Sequence, residues 1–347
     1  MVDRTTARRQ ILVVGPAWVG DMVMAQSLFK ALRAENPQSI IDVAAPSWSM
    51  PLLARMREVN HAISLPVEHG ELGLRKRWQL GRALRYTQYD QAIVLPRSLK
   101  ASILPNFAGI PRRTGYLGEY RYGLLNDIRP LNKKLLYRTV DRYVALALDT
   151  PMAVKSAPRP SIQYPELIST PDQQVEALTA LNLSKQKPTL ALCPGAEYGP
   201  AKIWPPEHFA ELAQNYLALG WQVWLLGSEK DLNVAVTIAE QAPGTTNLAG
   251  KTTLAQAIDL LRISDAVVSN DSGLMHMAAA TGTPLIALYG SSSPHYTPPL
   301  SEHATVIYRA LKCSPCFERN CPLKHLNCLR DIKPFEVIEK LKKLRSE

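Results

Sequence analysis

One lysine, a few carboxylates and a set of glycines stand where this chain passes from strand to helix, and those junctions are where chemistry can be placed. The first reads Gly15-Pro-Ala-Trp-Val-Gly20-Asp21-Met22. It fits neither GxGxxG nor a Walker loop, which excludes both phosphate fingerprints at this position. Gly20-Asp21 instead sets a carboxylate at the mouth of a helix, where it can cap the helix or act as a general base. A second junction runs Cys193-Pro-Gly195-Ala-Glu-Tyr-Gly199-Pro-Ala-Lys202-Ile-Trp204. Backbone N–H groups and the Lys202 ammonium can neutralise a diphosphate there, and an ordinary loop with a solvated lysine has the same pattern. Leu226-Gly-Ser-Glu229-Lys-Asp231 offers two acidic residues at the end of the next strand. That position accepts ribose hydroxyls in nucleotide-binding units, and the sequence does not choose between Glu229 and Asp231. The fourth junction is Val268-Ser-Asn270-Asp271-Ser272-Gly273-Leu-Met-His276. A helix N-terminus opening with Gly273 lets a phosphate or polar sugar approach, with Asp271 as a hydroxyl acceptor or, with Ser272, as a cap. His276 lies one turn further in and reads equally well as a packed residue.

The elements around these junctions alternate. Short apolar runs at Ile11–Val14, Ile40–Ala44, Ile63–Leu65 and Gln91–Leu95 read as strands. Helical periodicity covers Met22–Ala34, Trp48–Met56, Leu74–Arg85 and Val140–Leu148. Residues 151–187 change character, punctuated by Pro151, Pro158, Pro160, Pro165 and Pro171, with one helix expected over Asp172–Leu181. Strand and helix then alternate again from Thr189 to Tyr289, and Pro334–Leu344 forms a last helix. This predicts two doubly wound α/β domains: 1–160, a linker over 161–187, and 188–333, with 334–347 as a terminal helix. Ligands gather at the carboxyl ends of such sheets, so a cleft between the domains is expected.

At 347 residues the chain is long enough for two cores. Residues 1–150 carry 22 Lys and Arg against 12 Asp and Glu, whereas the remainder carries 18 of each. All the excess positive charge therefore lies in the first half, which should face an anionic partner or present a solvated basic face. The polar start, Met1–Gln10, and the short run after it suit neither a signal peptide nor a membrane span, so a cytoplasmic protein is expected.

Taken together these segments resemble the ADP-heptose:lipopolysaccharide heptosyltransferases of glycosyltransferase family 9. The resemblance is carried by GPAWVGDMVMAQSLFKAL, YDQAIVLPRSLKASILPNFAGIPRRTGY, GEYRYGLLND, CPGAEYGPAKIWP and VVSNDSGLMHMAAATGTPLIALYG. It implies a GT-B fold, two facing Rossmann-like domains with the acceptor on the first and the sugar nucleotide on the second. It also implies inverting transfer of L-glycero-D-manno-heptose from ADP-heptose to the first heptose of heptosyl-Kdo2-lipid A, with no cofactor or catalytic metal. Asp21 matches the catalytic base, Lys202 the diphosphate lysine, Asp271-Ser272-Gly273 the donor turn, and Glu229 or Asp231 the ribose contact. Lys100, Arg112, Arg113 and Arg121 are candidate acceptor contacts, because the acceptor is anionic. The implied location is the inner face of the inner membrane, peripherally bound to its anionic surface. Arg97-Ser98 and Asn106 depart from the pattern expected on the acceptor side.

Cys313, Cys316, Cys321 and Cys328 gather four of the five cysteines near the end of the chain. Four thiols in a reducing compartment suit a structural zinc site, although the second pair is spaced more widely than in common zinc motifs; free thiols are the alternative. Another transferase of the same architecture, or a nucleic-acid or zinc-binding protein, are the competing readings. The last lacks aromatic-interleaved basic runs, and no nucleic-acid partner is expected.

Overall fold

The computed structural model describes residues 8–67, 71–148 and 159–346. The expectations placed on Met1–Gln10 and on Pro151 and Pro158 lie largely or wholly outside those residues. The chain forms two compact units, Met1–Pro165 and Glu166–Glu347.

The first unit contains β1 (Gln10–Val14), α1 (Val19–Glu35), β2 (Ile40–Pro46), α2 (Met50–Leu53), β3 (His61–Leu65) and α3 (Leu74–Leu84). It continues with β4 (Gln91–Val94), α4 (Leu99–Phe107), β5 (Arg112–Tyr116), β6 (Asp127–Arg129) and α5 (Thr139–Val144). All six strands are parallel, in the order β3-β2-β1-β4-β5-β6. Helices cover the sheet, so β1 and β4 are buried along nearly their whole length and read as continuous apolar runs.

Three of these elements escaped the periodicity. β5 opens on Arg112-Arg113 and β6 has three residues, so neither shows an apolar run. α4 carries Pro105 in its interior, a residue that normally argues against a helix. The helix expected over Trp48–Met56 is only Met50–Leu53, preceded by a 3₁₀ turn over Ser47–Ser49, and Pro51 in its first turn has no N–H to donate back to that turn.

The second unit begins with α6 (Pro171–Ala180), whose Thr170 and Gln173 form a reciprocal capping box. It proceeds through β7 (Thr189–Cys193), α7 (Pro206–Ala218), β8 (Gln222–Leu225), α8 (Leu232–Gln241), β9 (Thr246–Asn247) and α9 (Leu254–Ile263). Then come β10 (Ala266–Asn270), α10 (Gly273–Ala280), β11 (Leu285–Tyr289), β12 (Ala304–Tyr308), α11 (Asn327–Arg330) and α12 (Pro334–Ser346). Its sheet, again parallel, runs β12-β11-β10-β7-β8-β9. Numbered within each unit, both sheets have the strand order 3-2-1-4-5-6.

Residues 166–187, read from sequence as linker, are built into this second unit. The Leu167 N–H donates to the Ala280 carbonyl (2.9 Å), the Ser169 hydroxyl donates to Asp259 (2.7 Å), and α6 packs on α9. The terminal helix is likewise part of the core: Val337 and Leu341 of α12 pack with Trp204, Phe209 and Leu329. Among the described residues, no helix is long and apolar enough to cross a membrane.

Candidate functional site

In each sheet the first and fourth strands lie side by side while their following connections diverge, which opens a crevice at their carboxyl ends. In the second unit those strands are β7 and β10, paired in parallel with Cys193 opposite Ser269. β7 delivers the turn that ends in Lys202, and β10 delivers Asp271-Ser272-Gly273. The sheet thus brings together two segments some seventy residues apart. Lys202 Nζ lies 2.5 Å from Asp271 Oδ2, with side-chain exposures of 17% and 5%. The ammonium also stands 5.2 Å from the centre of the Tyr198 ring.

Asn270, passed over in the sequence except as a neighbour, holds this arrangement in place. Its side chain is fully buried, accepts from the Trp204 N–H (3.0 Å) and donates to the Pro194 carbonyl (2.6 Å). One amide therefore fixes both ends of the Lys202 turn to the end of β10. A buried, polar residue directly before Asp271 is the signal that could have revealed it. Ser272 is the N-cap of α10, its hydroxyl accepting from the Met275 N–H (3.4 Å), and Gly273 is the first helical residue. The N-terminus of that helix follows directly on Asp271, the residue Lys202 contacts. His276 is buried in α10, and burial drives its pKa down to about 4, with Asp271 and Lys202 acting in opposite directions as lesser causes. A neutral, packed imidazole fits the packed-residue alternative.

Glu229 and Asp231, interchangeable in sequence, have different surroundings. Asp231 accepts from the N–H and hydroxyl of Ser228, both at 2.8 Å, as the closing half of a capping box. Its carboxylate lies so close to the β7 turn that a Cβ on Gly195 would meet it at 2.2 Å. Gly195 is thus required by the seating of Asp231. Glu229 is exposed at the same strand ends, with the Gly250 backbone against its own.

In the first unit, Asp21 is the third residue of α1 and half-buried. The N-cap is Trp18, so Asp21 does not cap the helix; it sits in the first turn at the carboxyl end of β1. Lys100 is the second residue of α4, which follows the neighbouring strand β4.

The three arginines expected to meet an acceptor are engaged inside the unit. Arg121 is fully buried and donates to the carbonyls of Pro96 (2.6 Å), Ser98 (3.3 Å) and Tyr116, and to the Ser102 hydroxyl (3.0 Å). Burial lowers its pKa to about 10, with Arg97 acting the same way. It ties the β4–α4 turn to the end of β5 and presents no surface to a ligand. Arg112 donates to Asp127 (2.9 Å), which Arg129 also grips. Arg113 donates to the carbonyls of Ile110 (2.6 Å) and Leu124 (2.7 Å). The physical reason is shared: β5, β6 and the turn between them leave carbonyls and a carboxylate needing donors. Arg97, where the sequence departs from expectation, donates to the Leu117 carbonyl (3.2 Å).

The four late cysteines line one small cavity, together with His325 and Ala201. Burial pushes the Cys328 thiol up to about 11, the other three sulfurs adding to it. Burial also raises Cys321, but backbone N–H groups from Leu323 to Leu326 outweigh it and the net shift is downward. Among the described residues, no three Cys, His, Asp or Glu side chains are gathered as metal ligands. Cys193 stands apart, wholly buried, its thiol pushed up to about 12 by burial.

Residues 77–327 match the family described as glycosyltransferase family 9 (heptosyltransferase). The chain is 48% identical over 345 residues to lipopolysaccharide heptosyltransferase 2 of Salmonella typhimurium, covering 97% of this chain and 99% of that one. It is 50% identical over 306 residues to lipooligosaccharide heptosyltransferase 2 of Haemophilus influenzae, covering 86% and 88%. Its structure aligns with that of Escherichia coli ADP-heptose LPS heptosyltransferase II at a TM-score of 0.86 and 45% identity, covering 97% of this chain and 98% of that one.

Proposed function

Since this chain belongs to glycosyltransferase family 9, the heptosyltransferases, and has the two Rossmann-like units of a GT-B fold, we infer that it transfers a heptose from ADP-heptose to the inner core of lipopolysaccharide. The acceptor in this reading is the first heptose of heptosyl-Kdo2-lipid A. The observation that carries it is the meeting of Lys202 with Asp271 and the α10 N-terminus at the switch point of the second sheet.

The donor sits there with its diphosphate at Lys202 and the helix-end N–H groups. Phosphate oxygens compete with the Asp271 carboxylate for the Lys202 ammonium, and Asp271, so released, accepts hydroxyls of the sugar. Glu229, exposed at the β8 end, accepts the ribose hydroxyls, while Asp231 fixes the turn that presents it. Asp21 removes the proton from the attacking acceptor hydroxyl. The oxygen bonds to the anomeric carbon from the face opposite ADP, the bond to the diphosphate oxygen breaks, and the centre inverts. Lys202 stabilises charge growing on the departing ADP, where a fixed cation acts most strongly.

The location at the inner face of the inner membrane follows from the acceptor. α3 supports it: Arg75, Lys76, Trp78, Arg82 and Arg85 are exposed along and just after one basic helix, with Arg82 over the Trp78 ring at 5.0 Å. Cosedimentation with anionic but not neutral vesicles checks this; equal recovery on both rules it out.

The direct test of the reaction is turnover of ADP-heptose by Asp21→Asn. A loss of roughly 10³-fold is expected, with ADP affinity unchanged. Turnover near that of the unaltered enzyme would remove Asp21 from its role, and thermal stabilisation by UDP rather than ADP would overturn the donor.

A further inference from the structure

We propose that Cys313, Cys316, Cys321 and Cys328 form a structural site for one soft transition-metal ion, zinc or iron, whose purpose is to brace the turn carrying Lys202. The four cysteines come from three separate stretches, the last of them in α11, yet all line the same small cavity. No carboxylate lines that cavity, and His325 commits its Nδ1 to the Asn327 N–H (2.9 Å). The donor set is therefore thiolate-only, which selects tetrahedral zinc or iron over magnesium or calcium.

The backbone is shaped for such an ion. The Lys324 N–H donates to the Cys321 carbonyl (3.1 Å), closing a tight turn just after that cysteine. The stretch holds left-handed conformations at Lys324 (φ 58°) and Leu326 (φ 52°), and Phe317, one residue past Cys316, is left-handed too (φ 58°). Three side-chain-bearing residues in that region within ten positions are costly, and such strain persists where another interaction repays it. Among the described residues the thiols do not stand as a ready-made ligand set, so in this proposal the ion itself draws them together.

The coupling to Lys202 is on the same loop. Ala201, the residue before the lysine, lines the cavity, and its N–H donates to the Arg319 carbonyl (3.0 Å). The Tyr198 hydroxyl donates to the Phe317 carbonyl (2.6 Å), and the Phe317 N–H donates to the Ser291 carbonyl (2.7 Å). Fixing residues 313–328 therefore fixes residues 198–201. The bracing role rests on the donor-site reading above, whereas metal content is measured independently of it.

The test begins with elemental analysis of the full chain purified without chelator or immobilised metal. About one equivalent of zinc or iron per chain is expected. A Cys313→Ser/Cys316→Ser variant should lose the metal and bind ADP about tenfold more weakly, with Lys342→Ala, on the exposed face of α12, keeping both. Because the double variant can misfold, cobalt(II) is added to the chelator-treated native chain as a second measurement. Intense tetrahedral d–d and thiolate charge-transfer bands support the site. Metal-free protein with four titratable thiols, or an octahedral cobalt spectrum, overturns it. Stoichiometric metal whose removal leaves ADP affinity unchanged overturns the bracing role.

Discussion

The two units share one strand order and put their charged residues to opposite uses. In the second, Lys202 and Asp271 come from different strands and meet at the switch point, held there by the buried Asn270 amide. In the first, Arg112, Arg113 and Arg121 were the obvious cations by sequence, yet each is occupied with internal carbonyls or with Asp127. Identical topology therefore does not dictate where charge faces outward. A short strand such as β6 leaves polar backbone atoms unmatched, and arginine, with five donors in a fixed fork, is the residue that can satisfy several at once. The excess positive charge of the first half remains, and part of it is exposed on α3, at Arg75, Lys76 and Arg82.

The largest effect that would sharpen this contrast is expected at Lys202. Lys202→Ala should lower kcat by roughly 10²–10³-fold and raise the ADP Kd. It should also lower stability by about 3 kcal/mol, because the nearly buried Asp271 loses its partner. Stability recovered in Lys202→Ala/Asp271→Asn, without recovery of activity, would separate the structural share of the pair from the catalytic one. Retained kcat in the single variant would break the comparison at its stronger end.

Arg121→Met, read by denaturant unfolding, should cost about 3 kcal/mol, since the carbonyls of Pro96 and Tyr116 lose their donor. Lys100→Glu should leave stability nearly unchanged and raise the acceptor KM about fivefold, with donor KM unaffected. The reverse pattern, a stable Arg121 variant with a raised acceptor KM, would return Arg121 to the binding surface.

The smallest expected effect distinguishes two neighbouring acids. Glu229→Ala should weaken ADP binding about tenfold in calorimetry with little change in melting temperature. Asp231→Ala should cost about 1 kcal/mol of stability through its lost cap. Equal losses of ADP affinity would merge the two roles.

The sequence by itself determined the alternation of strands and helices, both Rossmann-like units, and the residues at the strand ends: Asp21, Lys202, Asp271, Ser272 and Gly273. These were legible because apolar periodicity marks buried strands, and because a residue at a strand end is local to its own turn. Tertiary structure alone decided which of those residues meet. Parallel pairing of β7 with β10 sets Lys202 against Asp271, and nothing in a stretch of seventy intervening residues announces that contact. It also gave Glu229 and Asp231 different surroundings, placed residues 166–187 in the second unit, buried Arg121, and hydrogen-bonded Arg112 and Arg113 within the first. In each case the deciding quantity was the satisfaction of buried polar atoms, a property of neighbours in space that a one-dimensional pattern does not carry.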